Sequence, residues 1–397
     1  MQPQRRDRAA LAGVVFAVLF AQTLLYPGVP QLVASFGLRP NLDAGTWFLA
    51  AEFAGFILFA GVWGALSDAA GTRRGFIAAG ALGGGLIYGL LAAVPEIPFW
   101  SLLLVRFFGG AFTIGAFSLA IATLMDLGGG NGRNMGAAGI AIGLGTGLGA
   151  PLGGQLYRLG PRAPLAATAL LMALVGLLAL RLRETPGTGR ETHALEALTT
   201  LRAHPSLAVP YAFGFADRFT AGFFALVGVF YFQTRFGLDA GGTGLLLGAF
   251  FLPFALLQYP FGVLSDRIGR VGPVALGSFA YGVVIVAVSV TPTALLAAVA
   301  MALVGAFGAL CAPATLALVN DLAPADARGT ATGGFNVLGS LGFLTGVVGG
   351  GLLADRFGYG TAFLAAGGAE MLLALALLPA LLRLDVERVA TFAKGND

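Results

Sequence analysis

The stretch Gly64-Ala65-Leu66-Ser67-Asp68-Ala69-Ala70-Gly71-Thr72-Arg73-Arg74 returns 198 residues later as Gly262-Val263-Leu264-Ser265-Asp266-Arg267-Ile268-Gly269-Arg270, each copy lying between two long apolar runs. Two further landmarks keep the same register. Leu42-Asp43-Ala44-Gly45 answers Leu238-Asp239-Ala240-Gly241 at an offset of 196, and Met125-Asp126-Leu127 answers Asn320-Asp321-Leu322 at 195. Polar turns repeating at matched places between apolar runs describe a doubled membrane unit, and parallel halves of this kind suggest a transporter.

Composition agrees. Of 397 residues, 57% are hydrophobic and only 11% charged, whereas a soluble domain carries about a quarter charged residues; the mean hydropathy is +0.85. A run of about 20 apolar residues crosses ~30 Å of hydrocarbon. Twelve such runs are predicted at 9–36, 44–67, 75–94, 99–124, 135–157, 163–182, 207–233, 241–265, 273–292, 293–320, 330–353 and 358–384. Lipid offers backbone N–H and C=O groups no partner, and these runs are too long for barrel strands, so the spans are helices. The expected fold is an all-α membrane protein of two pseudo-symmetric six-helix bundles, residues 1–182 and 207–397, joined by a turn-rich, charged linker at 183–206.

Other readings fall away on chemistry. Gly143-Leu144-Gly145-Thr146-Gly147-Leu148-Gly149 imitates a phosphate-binding loop but follows no strand, and no Gly-x4-Gly-Lys-Ser/Thr occurs, so direct use of ATP is not expected. The remaining loops are too short for a catalytic insert, so no enzymatic activity and no cofactor are expected. Cys311 is the single cysteine, and His193 and His204 stand in the linker without a ligand set, so no metal site is expected. The net charge of +4 is dispersed over short loops rather than gathered in a nucleic-acid-binding patch. It encodes orientation instead. With both termini in the cytoplasm, sixteen Arg and Lys residues fall on that side and five on the other, a positive-inside bias that puts the Asp68 and Asp266 loops in the cytoplasm of a multi-pass cytoplasmic-membrane protein. The expected partners are the bilayer and a small-molecule substrate, with a monomer as the working unit.

At these residues the chain resembles the major facilitator superfamily, along essentially its whole length. The doubled Gly-x-Leu-Ser-Asp loop is similar to that family's signature loop. The resemblance implies a gate latch, with Asp68, Arg73 and Arg74 in the first copy and Asp266, Arg267 and Arg270 in the second, charges that clamp a neighbouring helix end in one conformation and release it in the other. The family pattern places Arg after the Asp. Here Ala69 holds that place in the first copy and Arg267 in the second, so the first latch is expected to be the weaker.

Arg106-Phe107-Phe108-Gly109-Gly110 in the fourth span resembles a second family motif. An arginine at mid-membrane costs ~2.5–3.5 kcal/mol or more, so it should face a cavity or an acid. Its repeat counterpart is Met301, which marks it as special, and Glu52 lies at a similar depth of ~10 Å, so the two can pair. In the fifth span Gly136, Gly145, Gly149, Gly153 and Gly154 match the spacing associated with the family's antiporters, a groove in a kinkable helix against the opposite bundle; the expected proline position is Ala150, and Pro151 follows one residue late. Pro27-Gly28-Val29-Pro30 is similar to paired prolines of twelve-helix drug:proton exporters, although the first span carries Gln22 and Tyr26 where many of those have an acid.

The proton-coupling candidates are therefore Glu52, Asp217 and Glu370, tuned by Arg106, with the proton gradient as the energy source. Phe48, Phe56, Phe59 and Trp63 share a helical face with Glu52. With Gln22, Tyr26, Phe213 and Phe224 they form the expected lining for a hydrophobic or cationic substrate. The expected activity is proton-coupled efflux of small hydrophobic or amphipathic compounds by alternating access. The rival is a symporter or facilitator for a sugar or organic acid, and a non-transporting scaffold of the same fold is a third reading.

Overall fold

A computed structural model describes residues 3–128, 131–184, 194–324 and 327–394. Linker positions 185–193, His193 among them, lie outside the described residues. The regular structure among the described residues is helical: α1 (Pro3–Leu25), α2 (Val29–Ser35), α3 (Leu42–Ala70), α4 (Arg74–Ala93), α5 (Phe99–Asp126), α6 (Asn131–Leu156), α7 (Ala163–Ala179), α8 (Ala194–Ala203), α9 (Ala208–Phe223), α10 (Val229–Phe236), α11 (Ala240–Ile268), α12 (Val271–Ser289), α13 (Ala294–Leu322), α14 (Arg328–Phe357) and α15 (Tyr359–Lys394). Among the described residues eleven stretches are long and apolar enough to cross a bilayer. The predicted span at 163–182 is the exception: α7 has 17 residues, at the lower limit of what spans hydrocarbon.

Local chemistry sets the breaks. Pro27 has no N–H to donate, and the first span folds there into a 3-10 turn, Tyr26–Gly28, between α1 and α2. The seventh predicted span is broken by a π-turn at Phe224–Gly228 between α9 and α10, an inserted turn of a kind that recurs at functional sites. Asn41 caps α3 by accepting the Ala44 N–H at 2.9 Å. Gly71, at φ 66°, ends the same helix in the left-handed conformation that glycine takes without strain.

Contacts divide the chain into two compact units, one of Met1–Glu191 with Phe224–Ala255, the other of Thr192–Phe223 with Leu256–Asp397. The division does not run along the linker at 183–206. It crosses the seventh span where α9 meets the π-turn, and it crosses α11 two residues beyond Pro253. In the first unit α3 packs along α5, α1 along α6, and α4 against α5 and α7; in the second, α9 packs along α14, and α12 against α13 and α15.

Lipid supplies no hydrophobic drive between helices, so close backbone approach and polar bonds hold them together. At Gly55 and Gly110 a Cβ would collide with the carbonyl oxygens of Phe107 and Glu52 across the α3–α5 contact. Gly222, Gly342 and Gly346 do the same work between α9 and α14. Large leucines such as Leu58, Leu86 and Leu372 are exposed, as helices solvated by hydrocarbon require.

Candidate functional site

The α3–α5 glycine contact places one buried ion pair in the first unit. Arg106 Nη2 donates to Glu52 Oε2, and both residues are at most 1% exposed. Tyr88 of α4 donates its hydroxyl to Glu52 Oε1 at 2.5 Å. The Arg106 guanidinium also lies 4.4 Å from the centre of the Phe48 ring and 5.7 Å from that of Tyr88, and its Nε and Nη1 meet no acceptor among the described residues. The expected pairing is thus present, closed over by aromatic faces that attract the cation.

Most of the expected aromatic wall around Glu52 packs on neighbouring helices. Phe56 rests on Phe53 and Phe117, half-buried Phe59 meets Phe107 edge-on, and Trp63 contacts Phe76 and Phe112 while its indole N–H donates to the Ala111 carbonyl at 2.6 Å. Gln22 and Tyr26 are buried in the same unit, and Gln22 Nε2 meets no acceptor among the described residues. Phe224 is fully buried between Phe232 and Phe250.

The signature loops bond to the ends of neighbouring helices, through partners the sequence did not name. Arg73 is 2% exposed and reaches Asp126 at the end of α5, with Nη1 to Oδ2 at 2.6 Å. Asp68 joins no ion pair among the described residues, and its Oδ1 is buried without a donor. In the second copy Arg270 bridges Asp266 at 2.5 Å and Asp321 at 3.3 Å and donates to Ser265 Oγ at 2.8 Å; Arg267 is exposed. Asp126 and Asp321 are the repeated landmark that first served only to set register. Their recurrence at an offset of 195, close to the 197 that separates Arg73 from Arg270, was the available signal that loop and landmark are partners. The first latch, expected to be the weaker, is the more deeply buried.

A residue the sequence did not single out completes this end of the first unit. Glu184, where the linker begins, accepts the Thr72 hydroxyl and the N–H groups of Arg73 at 3.1 Å and Arg74 at 3.4 Å, and it pairs with the Arg74 guanidinium at 3.3 Å. It caps the N-terminus of α4, where the helix dipole favours an anion. The Thr72 hydroxyl bond first, then the two N–H groups and the Arg74 charge, hold its carboxyl below the usual glutamate range.

In the second unit the other two acids share one neighbourhood. Asp217 on α9 is 6% exposed and lies 3.9 Å from the half-exposed Arg218 guanidinium, beyond hydrogen-bond reach. Glu370 on α15 is 3% exposed and accepts the Ser278 hydroxyl of α12 at 2.6 Å. Tyr281 and Cys311 are buried within electrostatic reach of both acids. Phe213 is placed in the core, packed with Val274, Cys311, Ala314 and Leu318 rather than on a cavity wall.

The glycine motif divides by face. Gly145, Gly149 and Gly153 press on α1, at Phe16, Thr23 and Leu24, so most of the groove serves packing inside its own unit rather than against the opposite bundle. Gly154 abuts Ala240, Gly241 and Gly244 of α11, Pro151 touches Gly248, and Gly136 has open space around it. On the same unit Gln31 and Gln233 bond at 2.9 Å, and Gln233 Nε2 donates to the Pro27 carbonyl at 2.8 Å, tying α10 to the proline turn beside a cleft of about 380 Å³.

Charges sheltered inside paired apolar helices define a polytopic membrane protein. The chain belongs to the Major Facilitator Superfamily, whose model matches residues 11–237 and, a second time, residues 212–396. It is 33% identical over 144 residues to an uncharacterized MFS-type transporter of Methanocaldococcus jannaschii, covering 36% of this chain and 37% of that one. It is 33% identical over 122 residues to the multidrug efflux pump LfrA of Mycolicibacterium smegmatis, covering 30% and 24%. The matches thus span well under two thirds of either relative. The fold is similar to that of the human organic anion transporter MFSD10 (TM-score 0.71, 22% identity, 95% of this chain and 100% of that one). It is similar also to that of the nucleoside transporter NupG (0.77, 15%, 95% and 99%) and of a D-xylose–proton symporter (0.74, 17%, 94% and 96%).

Proposed function

We propose that this chain is a proton-coupled exporter of small hydrophobic or amphipathic compounds, working by alternating access as a monomer in the cytoplasmic membrane with both termini inside, and driven by the proton gradient without a cofactor. One observation carries the reading: Asp217 and Glu370 are buried together in the second unit with no cation in hydrogen-bonding reach among the described residues. A membrane-embedded carboxyl of this kind exchanges a proton whenever its surroundings open to water. Glu52 differs. Its charge is neutralised by Arg106 and its other oxygen accepts the Tyr88 hydroxyl, which makes it a fixed brace. The local similarity to a protein named as a multidrug efflux pump supports the direction of transport.

The test uses proteoliposomes with an acidic lumen and a fluorescent quaternary ammonium probe outside. Inward movement of the probe with alkalinisation of the lumen is expected, and both are expected to vanish in the Asp217→Asn, Glu370→Gln double variant. Normal transport by that variant, or probe movement with no proton movement, overturns the reading. A second reading, proton-driven uptake of a polar metabolite, has one observation in its favour: the buried Gln22 Nε2 lacks an acceptor among the described residues and suits a hydroxylated substrate. Accumulation of a labelled sugar or organic acid driven by acid outside would decide for it.

A further inference from the structure

The second unit holds a cleft of about 520 Å³ between α9, α14 and α15, within the ~300–1,000 Å³ of ordinary ligand sites. Phe215 and Phe219 of α9, Leu338 of α14, and Ala366 and Leu373 of α15 line it. Glu370 supplies its one carboxyl group, and Tyr211 is the other titratable side chain in the lining. Carboxyl oxygen Oε1 is taken by Ser278, and no described residue donates to Oε2. The mouth lies beside exposed Thr345 and Ala369, and on the same two helices Leu341 and Leu372 are 38% and 68% exposed. Leucines this exposed on membrane helices face acyl chains, so the cleft opens to the bilayer rather than to water.

The repeat gives this acid no counterpart. At offsets of 195–198 its position in the first half falls on Met172, Ala173, Leu174 and Val175, all apolar. A carboxyl placed where the duplicated unit has hydrocarbon is expensive to keep. A cation arriving from the bilayer offsets that cost, and the shape asks for a long apolar body attached to it.

We propose that this cleft is a bilayer-facing binding site for single-chain lipophilic amines, with the ammonium group paired to Glu370 Oε2 and the hydrocarbon lying along Phe215 and Phe219. The ammonium donates a charge-assisted hydrogen bond in a setting without competing water. Binding here needs neither a proton gradient nor a conformational cycle, so it stands or falls apart from the exporter reading.

The experiment is photolabelling of the full-length chain in phosphatidylcholine nanodiscs, with a dodecyl dimethylamine bearing a chain diazirine against the matched methyl ether. Adducts are mapped by mass spectrometry. The amine should label the peptides holding residues 208–219 and 366–373 about tenfold more than the ether, equal to about 1.4 kcal/mol. Glu370→Gln should bring the amine down to the level of the ether, and Ala366→Phe, which fills the cleft and keeps the acid, should remove both signals there. Equal labelling of the native chain by amine and ether would show a crevice that any lipid chain fills and would overturn the proposal. So would undiminished amine preference in Glu370→Gln. The comparison on the native chain needs no variant to fold, and the elution profile of each variant checks that it does.

Discussion

Breaking the Glu52–Arg106 pair one side at a time should cost far more than removing it whole. Arg106→Met leaves a carboxylate that is 1% exposed with only the Tyr88 hydroxyl as donor. Removing one partner of such a pair costs ~3–5 kcal/mol. Glu52→Gln leaves the guanidinium over the Phe48 and Tyr88 rings, which recover ~0.5–2 kcal/mol, so its cost should be nearer ~2–4 kcal/mol. The double variant has no stranded charge. The repeat already carries Met301 at the counterpart of Arg106, so the double change should cost only ~1 kcal/mol, and the coupling between the sites should be ~3 kcal/mol or more. Reversible unfolding in mixed detergent micelles with increasing dodecyl sulfate, followed by tryptophan fluorescence, gives each free energy. Single variants below ~1 kcal/mol, or a double variant whose cost is the sum of the two, would refute the picture of a closed pair. On the proposed reading, in which Asp217 and Glu370 exchange the proton and Glu52 acts as a brace, the double variant should also keep gradient-driven transport.

Asp126→Asn should destabilise the chain more than Asp321→Asn, by ~3 against ~1 kcal/mol in the same assay, because Arg73 is 2% exposed and Arg270 is 12% exposed with Asp266 still beside it. Glu184→Ala should release the linker from the cap of α4, read as faster limited proteolysis at residues 183–206 with the helical content unchanged. A carboxyl held below its usual range stabilises fully above the unfolded value and loses that contribution only as pH falls through the lowered one. Native linker cleavage should therefore be equal at pH 7 and pH 5.5 and rise only on stronger acidification. Gly110→Ala should destabilise by ~1–3 kcal/mol, since its Cβ meets the Glu52 backbone, whereas Gly136→Ala, in open space, should stabilise by ~0.5–1 kcal/mol through helix propensity; thermal unfolding of the two variants should shift in opposite directions.

The sequence carried the order of the spans, eleven of the twelve as full-length crossings and most of their bounds to within a few residues, because hydrocarbon leaves the backbone one choice and the apolar run records it directly. It carried the Glu52–Arg106 pair as well, since both lie at one depth and an arginine in oil needs a counter-charge. It did not carry the partners of the signature loops. Asp126 and Asp321 were visible as repeats, but a repeat fixes position along the chain and not which side chain turns toward which. The glycine motif shows the same boundary: its spacing was legible, and yet Gly145, Gly149 and Gly153 turned to α1 while Gly154 turned to α11. A period along a helix gives a face without saying what that face meets.

The sequence by itself determined that this chain is a doubled helical membrane protein of transporter type, because transfer of backbone and charge into lipid is penalised residue by residue and so is written locally. Only the tertiary structure decided which charges are spent on holding helices together and which remain available. The deciding bonds join residues 53, 54 and 92 positions apart. The rotation of one helix about another, which brings Arg73 to Asp126 and Ser278 to Glu370 but no cation among the described residues to Glu370, follows from packing at glycine contacts between distant segments.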